Sequence, residues 1–143
     1  MSTKEEKIGA IVAEHHRREG PLLPILHAVQ AEFGCVDAAS EAIVAKGLNL
    51  SRADVHGVVS FYHDFHDAPE LRPEVQICRA EACKARGVEE MIDAATAAAG
   101  DRVKLTTVYC LGLCSAGPAA RNRDTLHARL DGKGLNTVIE NAR

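Results

Sequence analysis

The sequence predicts an α/β protein in two parts: a bundle of short helices over residues 1–66 and, after a linker over 67–73, a small layered α/β domain over 74–143. Three observations carry this reading. In the first part, apolar residues recur at three- and four-residue spacing behind capping residues, the mark of amphipathic helices. The stretch His66-Asp-Ala-Pro-Glu-Leu-Arg-Pro73 then holds two prolines and little apolar periodicity, as a connection does. From Glu74 the period changes to two, with Val75 and Ile77 alternating with Gln76 and Cys78, as in a strand with one buried face.

The first helix opens at Thr3-Lys-Glu-Glu6, a hydroxyl followed three residues later by a carboxylate, and puts Ile8, Ile11, Val12 and His15 on one face. Gly20-Pro21 ends it and starts a second, with Pro21 suited to a first turn. Leu22, Leu26, Val29 and Phe33 supply its apolar stripe, and Gly34 is placed to end it. Asp37 is a cap for a third helix containing Ile43 and Val44. Ser51-Arg-Ala-Asp54 resembles a capping box and leads into Val55, Val58, Val59 and Tyr62. Each helix is short and unstable alone, so the stripes must pack together.

After the strand at Val75–Cys78, a helix is expected from about Ala82 to Ala99, with Val88, Met91, Ile92, Ala95 and Ala99 on one face and Gly100 at its end. Val103–Tyr109 is rich in β-branched residues and reads as a second strand. Residues 118–121 and 125–130 form a hairpin across Asn122-Arg-Asp124, and residues 135–142 a final helix with Leu135, Val138 and Ile139 inward. The order β-α-β-β-α, with a right-handed first crossover, defines a small α/β layer fold.

With 143 residues, 46% hydrophobic and 26% charged, the chain has an ordinary globular composition and should bury about two-thirds of its unfolded surface. Lys and Arg number 17 against 20 Asp and Glu, a net charge of −3, with aromatics at 3%. That balance offers neither the electrostatic attraction nor the stacking platform that nucleic acid needs. The charged start Met1-Ser-Thr-Lys-Glu-Glu-Lys7 has no apolar core of a secretory signal, and no run approaches a membrane span. The expectation is a cytoplasmic protein without direct membrane insertion, where thiols stay reduced.

Five cysteines in such a compartment point to metal ligation. Cys78 and Cys83 are separated by Arg79-Ala-Glu-Ala82, and Cys110 and Cys114 by Leu111-Gly-Leu113. Each pair begins where a predicted strand ends. If the strands are neighbours, their ends deliver four sulfurs to one edge of the sheet. Two irons bridged by two sulfides need two thiolates each, a demand that two loop-borne pairs match. Gly112 and Gly117 let the backbone approach the sulfurs, turn N–H groups can offset the cluster's charge, and Arg79 adds a positive charge nearby. Spacing alone leaves structural zinc and inert cysteines open. A redox dithiol is disfavoured, because Cys-x-x-Cys is missing.

The stretch Ser51-Arg-Ala-Asp-Val-His-Gly-Val-Val-Ser-Phe-Tyr-His-Asp-Phe65, with Cys78-Arg-Ala-Glu-Ala-Cys83 and Cys110-Leu-Gly-Leu-Cys114 in order behind it, resembles the thioredoxin-like [2Fe–2S] subunit family of respiratory NADH dehydrogenases, NAD-linked hydrogenases and NAD-dependent formate dehydrogenases. The resemblance covers nearly the whole chain. It implies that Cys78, Cys83, Cys110 and Cys114 ligate one [2Fe–2S] cluster and that residues 74–143 form a thioredoxin-like ferredoxin domain. Within the family, Cys-Arg-Ala-Glu-Ala-Cys looks most like the gamma subunit of molybdenum-containing, NAD-dependent formate dehydrogenase. The short span between Cys83 and Cys110 lacks an insertion usual in respiratory members. The partners implied are an FMN- and NAD-binding subunit and a molybdenum-containing catalytic subunit, in a complex oxidising formate with NAD⁺. The chain's own role is then one-electron exchange with the flavin, with no catalytic residue for substrate chemistry. The same subunit of a respiratory NADH:quinone oxidoreductase or NAD-linked hydrogenase is the alternative within the class, and a zinc-stabilised interaction module the alternative outside it.

Other chemistry-bearing residues have plainer expectations. Cys35 reads as a small buried hydrophobe. His63 and His66 lack a third ligand and read as solvated or capping. Ser60, Phe61 and Tyr62 read as packing residues, against the ferredoxin domain or a partner. Asp64, Glu89 and Glu90 read as solvated faces. Pro118 stands where thioredoxin-like folds carry a proline by resemblance, and the general preference of X–Pro bonds favours trans.

Overall fold

A computed structural model describes residues 2–143. The chain forms two compact units, one ending at Glu70 and the other beginning at Leu71.

The first unit is all helical: α1 (Lys4–His15), α2 (Leu22–Phe33), α3 (Ala38–Leu48) and α4 (Arg52–Phe61). Both capping boxes form. The Thr3 hydroxyl accepts from the Glu6 N–H while the Glu6 carboxylate accepts from the Thr3 N–H, and Ser51 and Asp54 exchange the same pair of bonds. Asp37 caps α3 by accepting from the Ser40 N–H at 2.9 Å. Gly34 ends α2 at φ +78°, a left-handed conformation that suits glycine. The apolar stripes meet in a core built on Ile8, Ile25, Leu26, Val29, Val36, Val44 and Val55, all fully buried. One charge is drawn into this unit: Glu41, 8% exposed, faces His56 Nδ1 at 3.1 Å.

The second unit carries a four-stranded sheet of order β2-β1-β3-β4, with β1 at Glu74–Cys78, β2 at Lys104–Val108, β3 at Ala120–Asn122 and β4 at Thr125–His127. β1 and β2 are parallel neighbours in a register that pairs Cys78 with Val108. β3 runs antiparallel to β1 on its other side, and β4 completes a hairpin with β3. Val75, Val88, Ala95, Val103, Ala120, Leu135 and Ile139 form the core together with Cys78 and Cys83.

Three elements differ from expectation. The helix expected over 82–99 is two: α5 (Glu81–Ala85) and α6 (Val88–Ala99). Gly87 at φ +91° separates them, and the Arg86 and Gly87 N–H groups close the last turn of α5 on Ala82, Cys83 and Lys84 carbonyls. The hairpin strands are shorter than expected, because residues 129 and 130 turn aside to donate to the Ala116 and Pro118 carbonyls. The last helix, α7 (Gly132–Glu140), begins three residues early, since Asp131 caps it by accepting from the Gly134 N–H. That cap outweighs the poor helix propensity of Gly132 and Gly134. The Gly117–Pro118 bond is cis, against the general preference.

Candidate metal centre

The parallel pairing of β1 with β2 places the four paired cysteines at one edge of the sheet. Cys78 is the last residue of β1, and Cys110 follows the end of β2 by two residues. Cys83 sits in the middle of α5, and Cys114 opens a single 3₁₀ turn over Cys114–Ala116. The Cys110 and Cys114 sulfurs lie 3.6 Å apart. Cys78 and Cys83 are within hydrogen-bonding reach of each other, the backbone N–H groups of Cys110 and Leu111 bond to the Cys78 sulfur, and Cys114 is near enough to feel the charge of Cys78 and to act on Cys83. The convergence inferred from strand order is therefore present in the fold.

The two pairs differ in exposure. Cys78 and Cys83 are 3% and 2% exposed, whereas Cys110 and Cys114 are open to solvent. Among the described residues, no three His, Cys, Asp or Glu side chains surround one ion position. A binuclear cluster takes two thiolates on each iron, a demand that two cysteine pairs can meet.

Backbone N–H groups supply the local counter-charge. Burial pushes the Cys78 thiol up, but N–H groups of Ala80, Cys110 and Leu111 and the Cys83 thiol outweigh it, so Cys78 is held below the usual thiol range. Cys83 is pushed up by burial and by the adjacent Cys78 sulfur, against one N–H from Ala119. Cys114 is raised by its hydrogen bond with Cys110 and by that neighbour's charge. Gly112, at φ +78°, donates its N–H to Cys110 Sγ at 3.2 Å. Four thiolates this close repel one another, so cations that bind them displace protons.

Two backbone features mark the site. Cys110 itself has φ +112°, a conformation that costs a non-glycine residue about 1–3 kcal/mol and that gathers at functional sites. A Cβ on Gly117 would meet Cys83 Sγ at 2.9 Å, so only a bare backbone can pass the sulfur there. The donor set, the N–H groups and this cradle fit an iron–sulfur cluster on Cys78, Cys83, Cys110 and Cys114.

Other expectations resolve as follows. Arg79 does not act as a bare positive charge: its guanidinium binds Glu89 through two bonds, Nε to Oε1 at 2.9 Å being one, which raises the Arg79 pKa and lowers that of Glu89. Glu89 is solvent-exposed, as expected, and in addition partners Arg79. Cys35 is buried, 6% exposed, as a small hydrophobe should be. His63 is exposed and His66 half-buried. Phe61 and Tyr62 are 73% and 44% exposed and stack edge to face with ring centroids 5.0 Å apart. Sequence reasoning missed the strained Cys110, the Ala80 and Ala119 donors and the contacts of Arg86; only the small-residue run Ser115-Ala116-Gly117 ahead of Pro118 hinted at a tight turn.

The sheet, its crossover and the thiolate edge define a small iron–sulfur protein built on a thioredoxin-like scaffold. Residues 8–143 match the thioredoxin-like [2Fe–2S] ferredoxin family, and the chain belongs to it; the family's cofactor is a [2Fe–2S] cluster. The chain is 29% identical over 111 residues to the NADP-reducing hydrogenase subunit HndA of Solidesulfovibrio fructosivorans, covering 71% of this chain and 65% of that protein. It is 28% identical over 116 residues to NADH-quinone oxidoreductase subunit 2 of Thermus thermophilus, covering 75% and 64%. The chain thus matches a little under two-thirds of the length of these relatives. A solved NAD⁺-reducing [NiFe]-hydrogenase in its H2-reduced state superposes with a TM-score of 0.70 at 25% identity, over 83% of this chain and 21% of the hydrogenase chain. No helix among the described residues is long and apolar enough to cross a membrane.

Proposed function

We propose that this chain is an electron-transfer subunit of a multi-subunit, NAD-linked oxidoreductase, holding one [2Fe–2S] cluster on Cys78, Cys83, Cys110 and Cys114 and exchanging single electrons with the flavin of an FMN- and NAD-binding partner. The observation that carries it is the meeting of two cysteine pairs at the ends of adjacent parallel strands, one pair buried and one exposed. When bound, the cluster supplies reversible one-electron chemistry. The protein's part is position, potential and insulation. Cys78 and Cys83, backed by the core, anchor the inner side. Cys110 and Cys114, with exposed Tyr109 beside them, form the face that a partner's redox centre must approach.

The finer assignment we favour is the gamma subunit of a formate dehydrogenase, with a molybdenum-containing catalytic partner. Its support is the wording Cys78-Arg-Ala-Glu-Ala-Cys83 and the short span to Cys110. The relatives named above, a hydrogenase and a quinone reductase, support the broader class and make those complexes the second reading. Both are tested by isolating the native assembly and measuring formate–NAD⁺, hydrogen–NAD⁺ and NADH–quinone activities along with molybdenum and nickel. Formate activity with molybdenum supports the favoured reading, while nickel or quinone reduction removes it. Electron transfer itself is tested by adding NADH to the assembly: the visible absorbance of the cluster should bleach. Bleaching by dithionite but never by NADH refutes the coupling.

A further inference from the structure

Arg86 occupies a singular place beside the cysteine edge. It closes α5, three residues after Cys83, and its Nη2 donates to the Ser115 carbonyl at 3.3 Å, inside the turn that Cys114 begins. Its stem passes the same bare backbone as the Cys83 sulfur: a Cβ on Gly117 would meet Cys83 Sγ at 2.9 Å and Arg86 Cδ at 3.4 Å. One side chain therefore lies beside a buried ligand and reaches over to the turn that holds an exposed one. Arg79 spends its charge on Glu89, whereas Arg86 has no carboxylate within ion-pair distance among the described residues.

We propose that Arg86 is a positioning residue of the cluster site, strapping the Cys114 turn to α5, and that its charge favours the reduced form of the cluster. This rests on the ligand set proposed above. Two ferric ions, two sulfides and four thiolates carry −2, and an added electron makes −3, so a fixed cation nearby interacts more strongly with the reduced state. Arginine suits the place, because its planar fork can hold a carbonyl at one edge while the charge stays spread over the group. The guanidinium is exposed, so salt screens part of the effect.

The test compares the full chain with Arg86→Gln and Arg86→Lys, each examined for iron and sulfide content, the paramagnetic resonance spectrum after reduction, and midpoint potential at low and high salt. Arg86→Gln should move the reduction equilibrium roughly three- to tenfold toward the oxidised cluster, more at low salt than at high salt. It should also alter the resonance line positions and hasten cluster loss. Arg86→Lys should restore most of the potential and less of the retention. A fully loaded Arg86→Gln protein with the parent's potential and spectrum overturns the inference, as does a lysine variant no closer to the parent than glutamine. If Arg86→Gln does not load while retaining its helical circular dichroism, and Arg86→Lys loads, the need for a cation at this position is supported. A parent chain without two irons and two sulfides refutes the ligand set instead, so the two failures are distinguishable.

Discussion

A Cβ on Gly117 would lie 2.9 Å from Sγ of Cys83, closer than real Cβ contacts come. Cys83 is 2% exposed and belongs to the core, so moving the sulfur disturbs packed neighbours. Gly117→Ala should therefore displace either the sulfur or the turn that follows Cys114, at a cost of about 1–3 kcal/mol typical of overpacked interiors. The expected result is a chain that folds but holds well under half the parent's iron and sulfide. Full loading with an unchanged spectrum would show that the close approach is not required.

Ligand substitution separates the five cysteines. Cys78→Ser, Cys83→Ser, Cys110→Ser and Cys114→Ser should each abolish or visibly alter the cluster's absorbance and resonance spectrum. Cys35→Ser should leave both unchanged, costing only about 1–2 kcal/mol of stability for a hydroxyl at a buried site. A spectral change in the Cys35 variant, with one of the four paired cysteines silent, would require a different ligand set.

The Arg79–Glu89 pair makes a prediction opposite in kind to that for Arg86. With its charge matched by Glu89, Arg79 contributes little net field at the cluster. Glu89→Gln should expose that charge and move the reduction equilibrium about twofold toward the reduced form. The double variant with Arg79→Gln should return it to near the parent's value. Potentiometry on the three proteins decides the point; a single variant without effect contradicts the pairing argument.

Much of this architecture is legible in the sequence because local and long-range signals agree. Thr3 with Glu6, Ser51 with Asp54 and Asp37 announce helix starts by chemistry that needs no tertiary partner. The alternation at Val75 and Ile77 sets strand β1, and strand adjacency then brings the cysteines together. What escapes is decided across space. The break at Gly87 competes with a continuous helical pattern on both sides. The start of α7 depends on one Asp131 bond set against two glycines. The neutralisation of Arg79 needs Glu89, ten residues away on another element. The φ of +112° at Cys110 has no residue-type signature at all.

Acid sensitivity of the helical unit should centre on Asp37. Its hydrogen bond with Lys4, then those from Ser40, lower its pKa from 3.8 to about 2. A carboxylate depressed in the folded state adds stability above its unfolded pKa, and that stability is lost as pH falls through the folded value. With the side chain 41% exposed, solvent screening reduces the ionic part to about 1 kcal/mol, beside about 1 kcal/mol for the helix cap itself. In urea unfolding followed by helical circular dichroism, Asp37→Ala should be less stable than the parent at neutral pH, and the gap should narrow between about pH 4 and about pH 2. A gap independent of pH contradicts the ionic assignment.

The most direct test is the metal and sulfide content of the purified full chain, combined with paramagnetic resonance after reduction by dithionite. Four sulfurs at one sheet edge predict two irons and two acid-labile sulfides per chain, and a single-electron signal that appears only on reduction. A colourless protein containing one zinc and no sulfide would contradict it.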